Sequence, residues 1–214
     1  MTTNLLVFNN QTKMEISYTQ EIYRKLIHIT SLWMAFAMII LPEIWASSIF
    51  LLLLILNLIV EYGNYKDWPF VSSSYHFVFG KMMRKDPSEK SFKLSGSPFV
   101  LASAFLSIIL FDKHIAFLAF SVMIVGDTAA ALVGRKFGRI RFSNGKTVEG
   151  FLAFIISSAL ILMLCGFAFN YSVAIIIKGE IGIFIAAIAE LYGKTIKVDD
   201  NFSIPIVIGT IMSL

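Results

Sequence analysis

Apolar residues fill this chain in stretches too long for a soluble fold to use. Seven stand out as candidate spans: Leu26–Leu41, Ile44–Val60, Pro98–Phe111, His114–Val133, Gly150–Phe169, Val173–Tyr192 and Ser203–Leu214. A helix of about 20 apolar residues crosses the hydrocarbon core of a bilayer, and shorter ones do so when flanking side chains snorkel. The third and seventh stretches are short. Lys178, Gly179 and Glu180 interrupt the sixth and move its expected start toward Ile181. Composition agrees: charged residues make up 15% of the chain, against about 25% in soluble domains, and the mean hydropathy is +0.77. The expectation is an all-α, polytopic integral membrane protein of about seven transmembrane helices. They would form one membrane-embedded domain over residues 1–214, with 61–97 as a cytoplasmic or interfacial loop.

Charge sets the expected orientation. With the N-terminus inside, the inner segments hold Lys13, Arg24 and Lys25; Lys66, Lys81, Arg84, Lys85, Lys90 and Lys93; Arg135, Lys136, Arg139, Arg141 and Lys146; and Lys194 and Lys197. Only Lys113 and Lys178 fall outside. Cytoplasmic loops carry the excess of Lys and Arg, so the N-terminus is expected in the cytoplasm. The same asymmetry accounts for the net charge of +4 without nucleic acid, since these bases face anionic head groups and soluble anions. Tyr75, Phe77, Val78, Met82 and Met83, interleaved with Lys81, Arg84 and Lys85, suggest an interfacial amphipathic helix. The single Cys165 excludes an intramolecular disulfide. No cleavable signal peptide is expected at the N-terminus.

Against this background, polar residues inside apolar runs carry the chemistry. Asp127 sits within the fourth stretch, where a carboxylate costs roughly 2.5–3.5 kcal/mol if central. Asp127, Ala130, Ala131, Gly134, Arg135 and Gly138 share one helical stripe, whose small residues let a backbone or a ligand approach. The bland alternative is helix packing through Gly134 and Gly138, with Asp127 paired to a base. Next comes Ser143-Asn144-Gly145-Lys146-Thr147-Val148-Glu149-Gly150. It fails as a phosphate-binding P-loop, which needs glycine at position 140, occupied by Ile140. A glycine turn, a lysine and an acid at a helix start remain. They suit phosphate oxygens or an ordinary N-cap with Glu149 on the helix dipole.

Glu190 and the pair Asp199-Asp200 supply further carboxylates. Adjacent carboxylates repel unless a cation joins them, and Mg²⁺ takes carboxylate and phosphate oxygens. Asp200 or Asn201 equally suits a helix N-cap. Finally, Glu21, Arg24, Lys25 and His28 share one helix face, fit either to bind a head group or to snorkel. With the N-terminus inside, all these residues lie at or near cytoplasmic helix ends. Bases, carboxylates and glycine turns together are what phosphoryl or nucleotidyl transfer requires.

The order Asp127-x-x-Ala130-x-x-x-Gly134-x-x-x-Gly138, followed by Gly145-Lys146-Thr147-x-Glu149-Gly150, resembles the CTP-using membrane enzymes. These comprise phosphatidate cytidylyltransferases and the dolichol, phytol and CTP-dependent diacylglycerol or polyprenol kinases. Glu21-x-x-Arg24-Lys25-x-x-His28 and Asp199-Asp200-Asn201-Phe202-Ser203-Ile204-Pro205 resemble the kinase branch. Together the motifs extend from about residue 21 to 209. The cytidylyltransferase branch ends in a different signature, and its chains are longer, which places that reading second.

The resemblance implies a phosphotransferase that moves a phosphoryl group from CTP to a membrane polyprenol, diacylglycerol or related lipid alcohol, with Mg²⁺ or Mn²⁺. It implies Asp127, Asp199, Asp200 and Lys146 in catalysis, and Asp127, Asp199, Asp200 and Glu190 at the metal. Gly134, Arg135, Gly138, Arg139, Asn144, Gly145, Lys146, Thr147 and Glu149 would bind nucleotide, and Arg24, Lys25 and His28 the head group or terminal phosphate. The site would face the cytoplasm from a cell membrane, inner membrane or endomembrane. A transporter or scaffold is a third reading, but it expects mid-membrane charges and inverted repeats, and the sequence displays neither. The particular lipid and the oligomeric state, a homo-oligomer included, stay open.

Overall fold

A computed structural model describes residues 17–73, 94–196 and 198–214. Among them the chain is helical throughout, without a strand. The helices are α1 (Tyr18–Thr30), α2 (Leu32–Ile40), α3 (Glu43–Tyr65), α4 (Ser97–Leu110), α5 (Lys113–Phe137), α6 (Val148–Ala168), α7 (Val173–Ile196) and α8 (Asp200–Ser213). The stretch expected to form an amphipathic helix, 75–85, lies outside the described residues.

Local chemistry explains the boundaries. Ser17 and Gln20 form a reciprocal capping box that starts α1, with Gln20 N–H on Ser17 Oγ at 3.2 Å and Ser17 N–H on Gln20 Oε1 at 2.8 Å. The helix therefore begins at Tyr18, ahead of the apolar run, and carries Glu21 to His28 in regular register. The single span expected over Leu26–Leu41 is instead two helices. At Ser31 ψ opens to −9° and one N–H is shared between the carbonyls of His28 and Ile29, a tightened turn that interrupts the helical ladder. Pro98 stands at the start of α4, where its missing N–H costs nothing. The side chains of Asp112, Thr147 and Asp199 cap α5, α6 and α8. Contrary to the expected late start, α7 begins at Val173.

Three helices, α3, α5 and α6, are long and apolar enough to cross a bilayer. In α5 56% of the most apolar window is buried, against 28% in α6 and 11% in α3, so α5 is the axis of the bundle. It packs against α1, α2, α4, α6 and α8, while α7 closes on α6 and α8. Large apolar side chains on α3 and α6, such as Leu52, Leu56, Ile156 and Leu160, point outward, as lipid-facing residues do. The closest approach joins α5 to the start of α6. A Cβ on Gly134 would lie 2.7 Å from Thr147 Oγ1, and one on Gly150 would lie 2.8 Å from the Ala130 carbonyl. The Gly134–Gly138 stripe is thus filled by the Thr147–Gly150 turn, which docks that turn beside Asp127's helix.

Candidate functional site

The segment between α5 and α6 folds as a small hairpin-like turn. Arg141 and Thr147 pair as an isolated bridge. Phe142 N–H donates to the Lys146 carbonyl at 2.8 Å, and Val148 N–H to the Ile140 carbonyl at 2.9 Å. Gly145 takes φ +85°, a conformation that favours glycine. Asn144 ties the turn to α7 through the Leu191 carbonyl at 2.6 Å and accepts from Lys146 N–H at 3.0 Å. These bonds aim Lys146 inward. Its ammonium lies 2.5 Å from Glu190 Oε1 and 3.4 Å from Asp200 Oδ2, and it also donates to the Glu190 carbonyl.

On the opposite side of the same cluster, Lys25 of α1 donates to Asp127 Oδ2, and His28 Nε2 lies 3.4 Å from that oxygen. Lys25 is buried at 1% exposure, so the pair is closed to water. Asp127 of α5, Glu190 of α7 and Asp200 of α8 each turn one carboxylate oxygen toward a common point, all within 4.8 Å of one another. Three hard oxygen donors at that spacing fit a divalent cation of the Mg²⁺ class. Without a cation, Lys25 and Lys146 offset part of the repulsion among them.

Asp199 does not belong to this trio. As N-cap of α8 it accepts from Asn201 N–H at 3.0 Å and from Asn201 Nδ2 at 2.8 Å. Burial raises its carboxyl above the ordinary range, although those hydrogen bonds pull the other way. The expected Asp199–Asp200 ligand pair is therefore divided: Asp200 faces the trio and Asp199 holds the helix start.

Arg24 and Arg135 meet on one buried acid. Glu21 Oε1 is 2.5 Å from Arg24 and Oε2 is 3.4 Å from Arg135, across the α1–α5 boundary. Arg139 and Glu149 lie further along, at the α5–α6 junction, where Glu149 Oε1 accepts from the Arg139 and Ile140 N–H groups at 2.9 and 3.3 Å. Two buried acids stand outside the expected site residues. One is Glu21, placed in its motif but given no role. The other is Glu61 on α3, which accepts from Ser95 N–H at 2.9 Å and from the hydroxyls of Ser95 and Ser97. The available signal for Glu61 is its i, i+4 spacing from Asn57 in an otherwise apolar helix. Ser97 bonds Asn57 at 3.2 Å.

Gly193 of α7 backs onto Asp200. A Cβ there would collide with Asp200 Oδ1. Gly193→Ala is therefore expected to displace that carboxylate while α7 and α8 stay packed. Supporting contacts of a metal site are typically worth about 10–100-fold in affinity or activity. The check is the Mg²⁺ concentration for half-maximal transfer, which should rise by about tenfold or more.

No family model matches the chain, and no solved structure matches it. It is 28% identical over 200 residues to an uncharacterized protein of Methanocaldococcus jannaschii, covering 91% of this chain and 93% of that one. An uncharacterized protein of Rickettsia prowazekii is 32% identical over 188 residues, covering 86% of this chain and 88% of the relative. With that identity running through nearly the whole of both chains, the protein belongs to the family of this Rickettsia protein.

Proposed function

We infer that this protein is a CTP-dependent kinase of membrane lipid alcohols. In this reading it is a seven-span integral membrane enzyme with its N-terminus and its active site on the cytoplasmic side. The observation that carries the reading is the convergence of Asp127, Glu190 and Asp200, from three different helices, within 4.8 Å, with Lys25 and Lys146 on them. Carboxylates placed in a greasy bundle at such cost are best explained by a cation they share. That cation supplies Lewis-acid polarisation of phosphoryl oxygens when bound.

The chain's own groups have separate roles. Lys146 and Lys25 are already at the carboxylates, placed to turn their ammonium groups to phosphate oxygens. Arg24 and Arg135 present two guanidinium groups nearby, suited to bidentate contacts with phosphate. Asp199, at the mouth of α8 and raised by burial, is placed to accept the proton of the attacking hydroxyl. A lipid tail stays in the bilayer while its hydroxyl reaches the helix ends, which spares the cost of extraction.

The test is purified protein with Mg²⁺ and labelled CTP or ATP, offered polyprenols, diacylglycerol, phytol and phosphatidate. The expected products are CDP and a lipid phosphate. Pyrophosphate with a CDP-lipid would instead assign the protein as a phosphatidate cytidylyltransferase. Absence of nucleotide turnover with every acceptor would remove the enzymatic reading.

A further inference from the structure

An open cavity of about 430 Å³ lies beside the carboxylate trio's helix, lined by Lys136, Phe137, Gly138, Arg139 and Glu149. Its volume falls in the range of small-molecule clefts. Three features of its wall are chemically specific. Glu149 spends Oε1 on the N–H groups of Arg139 and Ile140, while Oε2 is shielded from water and has no hydrogen-bond partner. The Phe137 ring is 58% exposed. Lys136 lies over that ring, 5.2 Å from its centroid, and Arg139 stands next to it. An aromatic face, an unused acceptor and two cations form a wall suited to a flat heterocycle that carries an amino group and a phosphate chain.

We propose that this cavity reads the base of the nucleotide, and that Glu149 selects a base with an amino group where uracil carries a carbonyl. A carboxylate only accepts hydrogen bonds. Cytosine and adenine present an N–H₂ donor on the edge where uracil and guanine present a carbonyl oxygen. Against Oε2 the first pair gains a bond, and the second sets two acceptors face to face. Phe137 supplies a stacking surface that favours no particular base. Phe137 is ten residues beyond Asp127 on α5, about 15 Å along the helix axis, a distance an extended nucleoside triphosphate covers from base to terminal phosphate. The inference rests on the phosphotransfer reading for its nucleotide, but it is tested by binding.

The experiment measures binding of CTP, ATP, UTP and GTP to the purified protein with Mg²⁺, by equilibrium dialysis, together with N4,N4-dimethyl-CTP. CTP or ATP should bind at least about tenfold more tightly than UTP and GTP. N4,N4-dimethyl-CTP, which lacks the donor, should fall to the level of UTP. Glu149→Gln offers a donor as well as an acceptor, so the ratio of CTP to UTP affinity should drop by about tenfold. A loss of loop closure alone would weaken both nucleotides and leave the ratio unchanged, which would overturn the role given to Glu149. Phe137→Ala, at an exposed ring, should weaken all four nucleotides together. Equal binding of the four nucleotides and the dimethyl analogue overturns the inference even if phosphoryl transfer is observed. Binding of none of them overturns it together with the nucleotide-dependent reading of the protein.

Discussion

Asp127→Asn is expected to lower transfer by on the order of 10³-fold, because a cation's stabilisation of phosphoryl charge is worth several kcal/mol and each 1.36 kcal/mol is a decade in rate. The same substitution also acts on the fold. Lys25 is 1% exposed and its ammonium rests on Asp127. Removing one partner of a buried ion pair costs about 3–5 kcal/mol, whereas replacing both by apolar groups is often neutral or better. The introduced amide would keep an acceptor for Lys25, which places the expected loss at the low end of that range. The double variant Asp127→Asn/Lys25→Met should regain most of the stability and none of the activity. Chemical unfolding and turnover, measured on the same detergent-solubilised preparations, separate the two effects. Near wild-type turnover by either folded variant would take Asp127 out of the chemistry.

Lys146→Met has the second large effect, and it couples stability to metal. In the wild type this ammonium bridges Glu190 and Asp200. Without it, three carboxylates within 4.8 Å retain Lys25 as their remaining directly paired lysine among the described residues, and Glu190 is buried at 6% exposure. Transfer should fall by about 10²-fold, as for loss of one preorganised charge-stabilising donor. Thermal stability without divalent cation should fall too. Adding Mg²⁺ should then raise the variant's melting temperature more than the wild type's, since the cation no longer competes with an ammonium. A ligand at 100 times its Kd stabilises by about 2.7 kcal/mol. Equal and negligible Mg²⁺ shifts in the two proteins would mean that the trio holds no metal, and the lysine would then be a structural counterion.

Asp199 and Asp200 illustrate where reading along the chain stops. Both are acids at a helix start, and spacing alone leaves either free to face a metal. The backbone separates them: Asp199 has extended φ and ψ of −72° and 136° and caps α8, which turns its side chain back onto Asn201. Asp200, the first helical residue, projects toward Lys146 and Glu190. The glycine stripe on α5 was similarly ambiguous. Its space is taken by Thr147 and Gly150, so it docks the Lys146 turn against α5.

The helical class and the apolar runs were legible in the residues themselves, because hydrocarbon permits little else for such segments and the caps and prolines act within a few positions. So were the separate motifs, since an acid or base in an apolar helix is conspicuous wherever the chain goes. Partnership was not legible. Lys25 meets Asp127 across 102 positions and Lys146 meets Asp200 across 54, and no local rule relates residues so far apart. Which acid each lysine neutralises, which of two neighbouring aspartates turns inward, and that Glu61 is buried at all follow from how α1, α3, α7 and α8 pack in the bundle around α5. Charges are assigned by distance in space, and packing alone sets that distance.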